Sequence, residues 1–175
     1  SKFTLHHVVK HLSDLLHRNI KFADDCVSEE SRKMSAALTN GEILLLENTR
    51  FHKEEEKGEE LFAVKLAQHG DIYVNDAFGS AHRAHASTTI VAKHFSKENK
   101  AMGFLMAAEV ANAEKVIHKS EKPFTAILGG AKVSDKILII ENLLKIADNI
   151  IIGGGMAYTF IKALGCNVGN SLVEE

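Results

Sequence analysis

Asp71-Ile-Tyr-Val-Asn-Asp-Ala-Phe-Gly-Ser-Ala-His-Arg-Ala-His85 starts as a strand and finishes as a loop holding two histidines and an arginine. Ile72 and Val74 predict a buried strand, bounded by Gly70 before it and Gly79 after it. The strand releases the chain into Asn75 and Asp76, then into His82, Arg83 and His85. Polar residues delivered at the C-terminal end of a strand are the layout of an open α/β sheet, whose ligands bind at that edge. Arg83 carries a rigid fork of donors suited to phosphate or carboxylate. His82 and His85 add charge or hydrogen bonds beside it. A solvated basic loop would have the same composition, so the surroundings decide between the two readings.

Upstream, helix and strand signals alternate. Thr4 is placed to cap a helix reaching residue 16, with Leu5, Val8, Val9, Leu12, Leu15 and Leu16 at helical spacing. Residues 20–23 predict a short strand. Ser28, followed by Glu29 and Glu30, predicts a second helix stopping near Asn40-Gly41. Residues 42–46 form an apolar run with little alternation, as in a parallel strand buried on both faces. A polar loop over 47–56 follows, with Glu54, Glu55 and Glu56 read as a solvated face, and then a helix over 58–69. Downstream, 104–119 predicts a long amphipathic helix with Leu105, Ala108, Val110, Ala111 and Val116 near one stripe. Pro123, the only proline, marks a break. The rhythm then restarts: strand 124–128, helix 134–145, strand 149–152, helix 155–164. The expected fold class is α/β, three-layer, with parallel sheets flanked by helices.

The bulk numbers fit. The chain has 175 residues, 45 % hydrophobic and 25 % charged, with a net charge of 21 − 23 = −2. This near-balance excludes a general nucleic-acid binder and makes any anion site local. Cys26 and Cys166 lie far apart without C-x-x-C spacing and read as small buried hydrophobes in a reducing compartment. No apolar run approaches the ~20 residues of a membrane helix, and no signal peptide is visible. The expectation is a cytoplasmic protein that binds neither nucleic acid nor membrane. The chain is expected to open at Ser1 directly into a helix and to stop at Val173-Glu174-Glu175 straight after an ordered segment, and neither end looks like a natural terminus.

Three further motifs carry chemistry. Glu47-Asn-Thr-Arg-Phe-His52 follows the strand at 42–46, so Arg50 and His52 stand at its C-terminal end; two arginines meeting at one sheet edge suit a small phosphorylated anion. Alternatively, each arginine pairs with Glu47 or Asp76. Gly129-Gly-Ala-Lys-Val-Ser-Asp-Lys136 lies between strand and helix, where bare backbone and a helix N-terminus accommodate phosphate. Lys132 and Lys136, four apart, are expected on one helical face, reaching one anion. No Walker A pattern can be written here. Gly153-Gly-Gly155 repeats the arrangement but fails G-x-G-x-x-G, because Tyr158 occupies the last position. His6, His7, His11 and His17 read as solvent-facing. His7 and His11 have metal-ligand spacing but no third ligand.

Together these runs closely resemble phosphoglycerate kinases. The matching stretches are Leu44 to His52, Tyr73 to His85, Gly129 to Lys136, and Ile151-Ile-Gly-Gly-Gly-Met-Ala-Tyr-Thr-Phe160, in the family's order. Thr49 and Ser80 are small departures. The resemblance implies parts of two Rossmann-like lobes joined by a long helix. Residues 1–103 would belong to the phosphoglycerate-binding N-terminal lobe, 104–121 to the inter-lobe helix, and 122–175 to the start of the nucleotide-binding C-terminal lobe. It implies a glycolytic phosphotransferase with a carboxyl group as acceptor, moving a phosphoryl group reversibly between 1,3-bisphosphoglycerate and MgADP to give 3-phosphoglycerate and MgATP. Carried over, Arg50 and Arg83 grip the non-transferring phosphate, with His82 and His85 in the same basic patch. Lys132 is the catalytic cation on the transferring phosphoryl group and Lys136 holds nucleotide phosphates. Gly130, Ala131 and Gly154 line the nucleotide site. Family members are usually monomeric.

The resemblance also implies that parts of the site lie outside this chain. These are the first strands of the substrate lobe with their Asp, Asn, Arg and His contacts, and an arginine at the transferring group. The second glycine-rich phosphate loop, the acid that helps hold Mg²⁺ and the Glu on the ribose are missing too. The chain is then an incomplete portion of an enzyme, inactive alone, with raw sheet edges. Two readings from other classes remain open: a short protein binding a phosphorylated ligand without catalysis, and an interaction remnant.

Overall fold

The computed structural model describes residues 2–174; Ser1 and Glu175, on which the reading of the two ends rests, lie outside the described residues. Three pairs of strands organise the fold. β1 (Ile20–Ala23) pairs with β2 (Ile43–Leu46), β3 (Tyr73–Asn75) with β4 (Lys100–Met102), and β5 (Thr125–Gly129) with β6 (Asn149–Gly153). All three pairings are parallel, so each needs a crossover connection rather than a hairpin. The helices are α1 (Val9–Leu16), α2 (Glu29–Ala36), α3 (Lys53–Lys57), α4 (Glu60–Ala67), α5 (Phe104–His118), α6 (Ile137–Leu143) and α7 (Met156–Ala163). α2 crosses between β1 and β2, and α6 between β5 and β6. This is an α/β fold of parallel strands flanked by helices. The chain divides into two compact units, Ser1–Val110 and Ala111–Glu175, and the boundary falls inside α5.

The core of the first unit gathers Cys26, Phe62, Ala63, Ala86 and Val91, with Leu46, Leu66, Tyr73 and Phe95 packed against them. Burying Phe62 alone is worth about 1.5–3 kcal/mol. In the second unit Ala126, Ile140 and Met156 are buried.

The structure corrects the sequence reading at several points. Thr4 does not cap α1: its hydroxyl donates to Glu47, a single 3₁₀ turn (His6–Val8) intervenes, and the helix begins at Val9. Leu15 and Leu16 stay exposed. Ser28 does cap α2, its hydroxyl accepting the Ser31 N–H at 3.0 Å. α2 nevertheless ends at Ala36, because the Glu42 carboxylate takes the Thr39 N–H and closes a turn there. β2 is half-buried along its length rather than covered on both faces. Ile72 and Val74 are 68 % and 55 % exposed, and Tyr73 packs inward instead. β4 and α3 arise where no strand and a plain loop were expected. β4 is three residues with no pattern of its own, held as Tyr73 N–H donates to Asn99 O and Gly103 N–H to Asn75 O, both at 2.8 Å. Of α5's apolar residues only Met106 is buried. Cys166 is exposed, set beyond α7 by a turn at Gly165.

Candidate functional site

In the first unit the polar residues gather at the C-terminal ends of parallel strands. Beyond β2, Glu47 accepts hydrogen bonds from the Thr4 hydroxyl, from Leu5 N–H at 2.8 Å and from Asn48 N–H at 2.7 Å. Burial pushes its carboxyl up, but these donors outweigh that and hold it below the usual carboxylate range. Asn48 Oδ1 accepts the Arg50 N–H at 3.0 Å and starts a 3₁₀ turn over Thr49–Phe51. Arg50 stands exposed on that turn, its Nε 4.0 Å from Glu56 Oε1. At such exposure and distance the pair holds Arg50 weakly.

Beyond β3, side chains hold the loop from behind. The Tyr73 hydroxyl donates to Ser87 O at 2.9 Å, and Asn75 Nδ2 to Thr88 O at 3.1 Å. Asp76 Oδ1 accepts the Met106 N–H at 2.9 Å. Glu55, only 2 % exposed, accepts from both the Ser87 N–H (3.0 Å) and the Ser87 hydroxyl (2.5 Å). It therefore does not lie on a solvated face: α3 turns it inward under the loop. His85, 5 % exposed, has its Nδ1 3.9 Å from Glu55 Oε1. His82 and Arg83 stay exposed, with Arg83 Nε–H donating to His82 Nε2 at 3.2 Å. Glu47 and Asp76 pair with neither arginine. Among the described residues Arg83 has no carboxylate in ion-pair reach, which leaves its terminal fork for an anion.

At the end of β1, Asp25 Oδ2 and His52 Nε2 lie 3.0 Å apart. Burial raises the Asp25 carboxyl, but the Val27 N–H and the His52 imidazole outweigh it and bring it below the usual aspartate value. The neighbouring Cys26 thiol is pushed up to about 12 by burial and by the charges of Asp25, Glu55 and Glu47.

In the second unit the two glycine loops meet. Gly129 pairs with Gly153 at the ends of β5 and β6, and the Met156 N–H donates to Gly130 O at 2.8 Å. Gly154 has φ +68°, and a Cβ there would lie 3.0 Å from Gly130 O. A Cβ on Gly130 would lie 3.1 Å from Cε of Lys136, so this lysine folds over the loop. Lys132 is not on a helix with Lys136. A 3₁₀ turn, Ser134–Lys136, precedes α6 because the Glu174 carboxylate takes the Val133 and Ser134 N–H groups (2.5 and 2.9 Å) and the Ser134 hydroxyl (2.6 Å). These bonds, the Ser134 hydroxyl first, hold the Glu174 carboxyl below its usual range. The Glu174 N–H donates to Thr159 Oγ1 on α7 at 3.1 Å, tying both loops to one residue. Among the described residues, neither Lys132 nor Lys136 forms an ion pair.

A family model described as phosphoglycerate kinase matches residues 1–175. The chain belongs to the phosphoglycerate kinase family. It is 51 % identical over 174 residues to the phosphoglycerate kinase of Campylobacter curvus (strain 525.92), covering 99 % of this chain and 44 % of that protein. It is 54 % identical over 175 residues to that of Anaeromyxobacter dehalogenans (strain 2CP-C), covering 100 % of this chain and 44 % of that protein. Among solved structures, phosphoglycerate kinase from Coxiella burnetii superposes with a TM-score of 0.80 at 36 % identity, covering 100 % of this chain and 43 % of the other. The chain thus spans less than half the length of these phosphoglycerate kinases. Sequence reasoning missed Glu55 and Glu174 as supports of the basic and glycine loops. Nothing local marks either one, since each acts through backbone donors 32 to 41 residues away.

Proposed function

We propose that this chain forms part of a glycolytic phosphotransferase moving a phosphoryl group between 1,3-bisphosphoglycerate and MgADP, giving 3-phosphoglycerate and MgATP. The observation that carries this reading is the family match over residues 1–175. Phosphoryl transfer needs positioning and charge neutralisation more than covalent chemistry, and Mg²⁺ arrives with the nucleotide. In this reading residues 1–103 serve the phosphoglycerate, 104–121 form the inter-lobe helix and 122–175 begin the nucleotide site. Arg50 and Arg83 hold the non-transferring phosphate, the exposed forks supplying two-point contacts. His82 belongs to the same patch; His85, buried on Glu55, shapes it from below. Lys132 neutralises charge on the transferring group, Lys136 holds nucleotide phosphates, and Gly130, Ala131 and Gly154 present bare backbone to them. No described helix is long and apolar enough to cross a membrane, and the reaction fits the cytoplasm.

The test uses the full-length protein. Lys132→Ala should lower turnover roughly 10²–10³-fold with 3-phosphoglycerate affinity nearly intact. Arg83→Ala should mainly weaken 3-phosphoglycerate binding in isothermal titration. Equal loss of turnover and glycerate affinity in Lys132→Ala, or unchanged affinity in Arg83→Ala, overturns the roles. Failure to bind either 3-phosphoglycerate or MgADP overturns the function.

A further inference from the structure

We infer that Asp25, Cys26 and His52 form a binding site for one soft divalent cation, Zn²⁺ or Co²⁺, at the C-terminal ends of β1 and β2. One ligand atom from each residue lies within 4.8 Å of the other two. A carboxylate oxygen, a thiol sulfur and an imidazole nitrogen are the donor set that these ions take in four-coordinate sites. Hard Mg²⁺ and Ca²⁺ would reject the sulfur.

Two of the donors already face each other, and the backbone beneath the third is held. The Val27 N–H holds Asp25 Oδ1 at 2.6 Å and leaves Oδ2 facing His52 Nε2 at 3.0 Å. The His52 ring rests against Phe62, centroids 5.2 Å apart, which limits its rotation. The Cys26 carbonyl accepts from His69 Nε2 at 2.9 Å, and His69 Nδ1 contacts the Ser35 hydroxyl at 2.9 Å, fixing the backbone behind the sulfur. Supporting bonds of this kind orient ligands in metal sites. Cys26 itself is 1 % exposed, while Asp25 and His52 are only partly covered, giving an ion entry on their side. Three protein ligands leave a fourth position for water. On binding, the Cys26 S–H bond gives way to a metal–sulfur bond and its proton leaves to solvent. The His52 Nε2 proton moves through solvent to Nδ1, so the imidazole binds neutral, and two metal–ligand bonds replace its hydrogen bond to Asp25.

The experiment titrates the full-length protein with Co²⁺ and follows its absorption, then displaces it with Zn²⁺. The expected result is a sulfur-to-cobalt charge-transfer band that saturates at one equivalent, vanishes in Cys26→Ser and persists in Cys166→Ser. His52→Gln, at a partly exposed position, guards against a folding defect in Cys26→Ser. It should keep the native circular dichroism and weaken Co²⁺ binding by roughly 10–100-fold or more. No charge-transfer band, a band abolished by Cys166→Ser and kept in Cys26→Ser, or Co²⁺ binding without sulfur at His7 and His11 would each overturn the site.

Discussion

Glu55→Ala tests what holds the basic loop in place. The Glu55 carboxylate is buried and receives two donors from Ser87, at 3.0 and 2.5 Å. Truncation leaves the Ser87 N–H and hydroxyl without their acceptor. An unmet buried donor costs about 1–3 kcal/mol. Ser87 supplies two such donors, so the expected loss is about 2–6 kcal/mol, a large part of the ~5–15 kcal/mol that stabilises a domain. Glu55→Gln keeps an acceptor and the side-chain volume, and should lose only about 1–2 kcal/mol through the weaker neutral bonds. Glu56→Ala is the control: it is exposed, 4.0 Å from Arg50, and should stay within about 0.5 kcal/mol. Urea unfolding of the full-length protein gives the magnitudes. Hydrogen exchange of the peptide carrying Ser87 gives the location, with faster exchange in Glu55→Ala and none in Glu56→Ala. A Glu55→Ala loss as small as that of Glu56→Ala would refute the buried-support reading.

Gly154→Ala should destabilise the second unit by about 1–3 kcal/mol, since a left-handed backbone costs a side chain about 1–2 kcal/mol and the new Cβ would press on Gly130 O at 3.0 Å; an unchanged unfolding midpoint would contradict this. The Glu42 carboxyl is held at about 2, against a reference of 4.5, first by the Lys21 ammonium and then by the Thr39 N–H. Its folded pKa is depressed, so its contribution is complete above pH 4.5 and fades as pH falls toward about 2. The stability gap between wild type and Lys21→Met should therefore close over that window, and a pH-independent gap would count against the pairing. Iodoacetamide at about pH 8 should label exposed Cys166 in the native protein and Cys26 only after unfolding, as mass spectrometry of the peptides would show; equal labelling rates would sink it.

Every strand but β4, most helices and the glycine loops were legible because they depend on local pattern: Ser28 caps its own helix, and Gly129 and Gly153 end their own strands. Burial was less legible. Val74 and Tyr73 alternate as a strand should, yet the inward side is set by what α4 and the 86–95 segment offer, and Tyr73 wins because its hydroxyl finds Ser87 O and Thr88 O. β4 carries no signal in Lys100-Ala-Met102 and exists only through its partner. The candidate arginines and lysines could be read from the motifs, but their supports could not. Glu55 sits in a run of three glutamates that composition cannot tell apart, and Glu174 meets its donors 40 residues upstream. Cys166 was misjudged because residue type predicts cysteine burial only on average.

The bond between Glu174 and the 133–134 backbone also orders events during synthesis. Val133 and Ser134 leave the ribosome 41 and 40 residues ahead of the carboxylate that fixes them. At roughly 5–20 residues per second, that is a wait of about 2–8 s in which the glycine loop exists as sequence but not as shape. Rare codons or a pause between residues 134 and 174 would lengthen the interval. A nascent chain stalled there would carry both loop lysines with their geometry still unset.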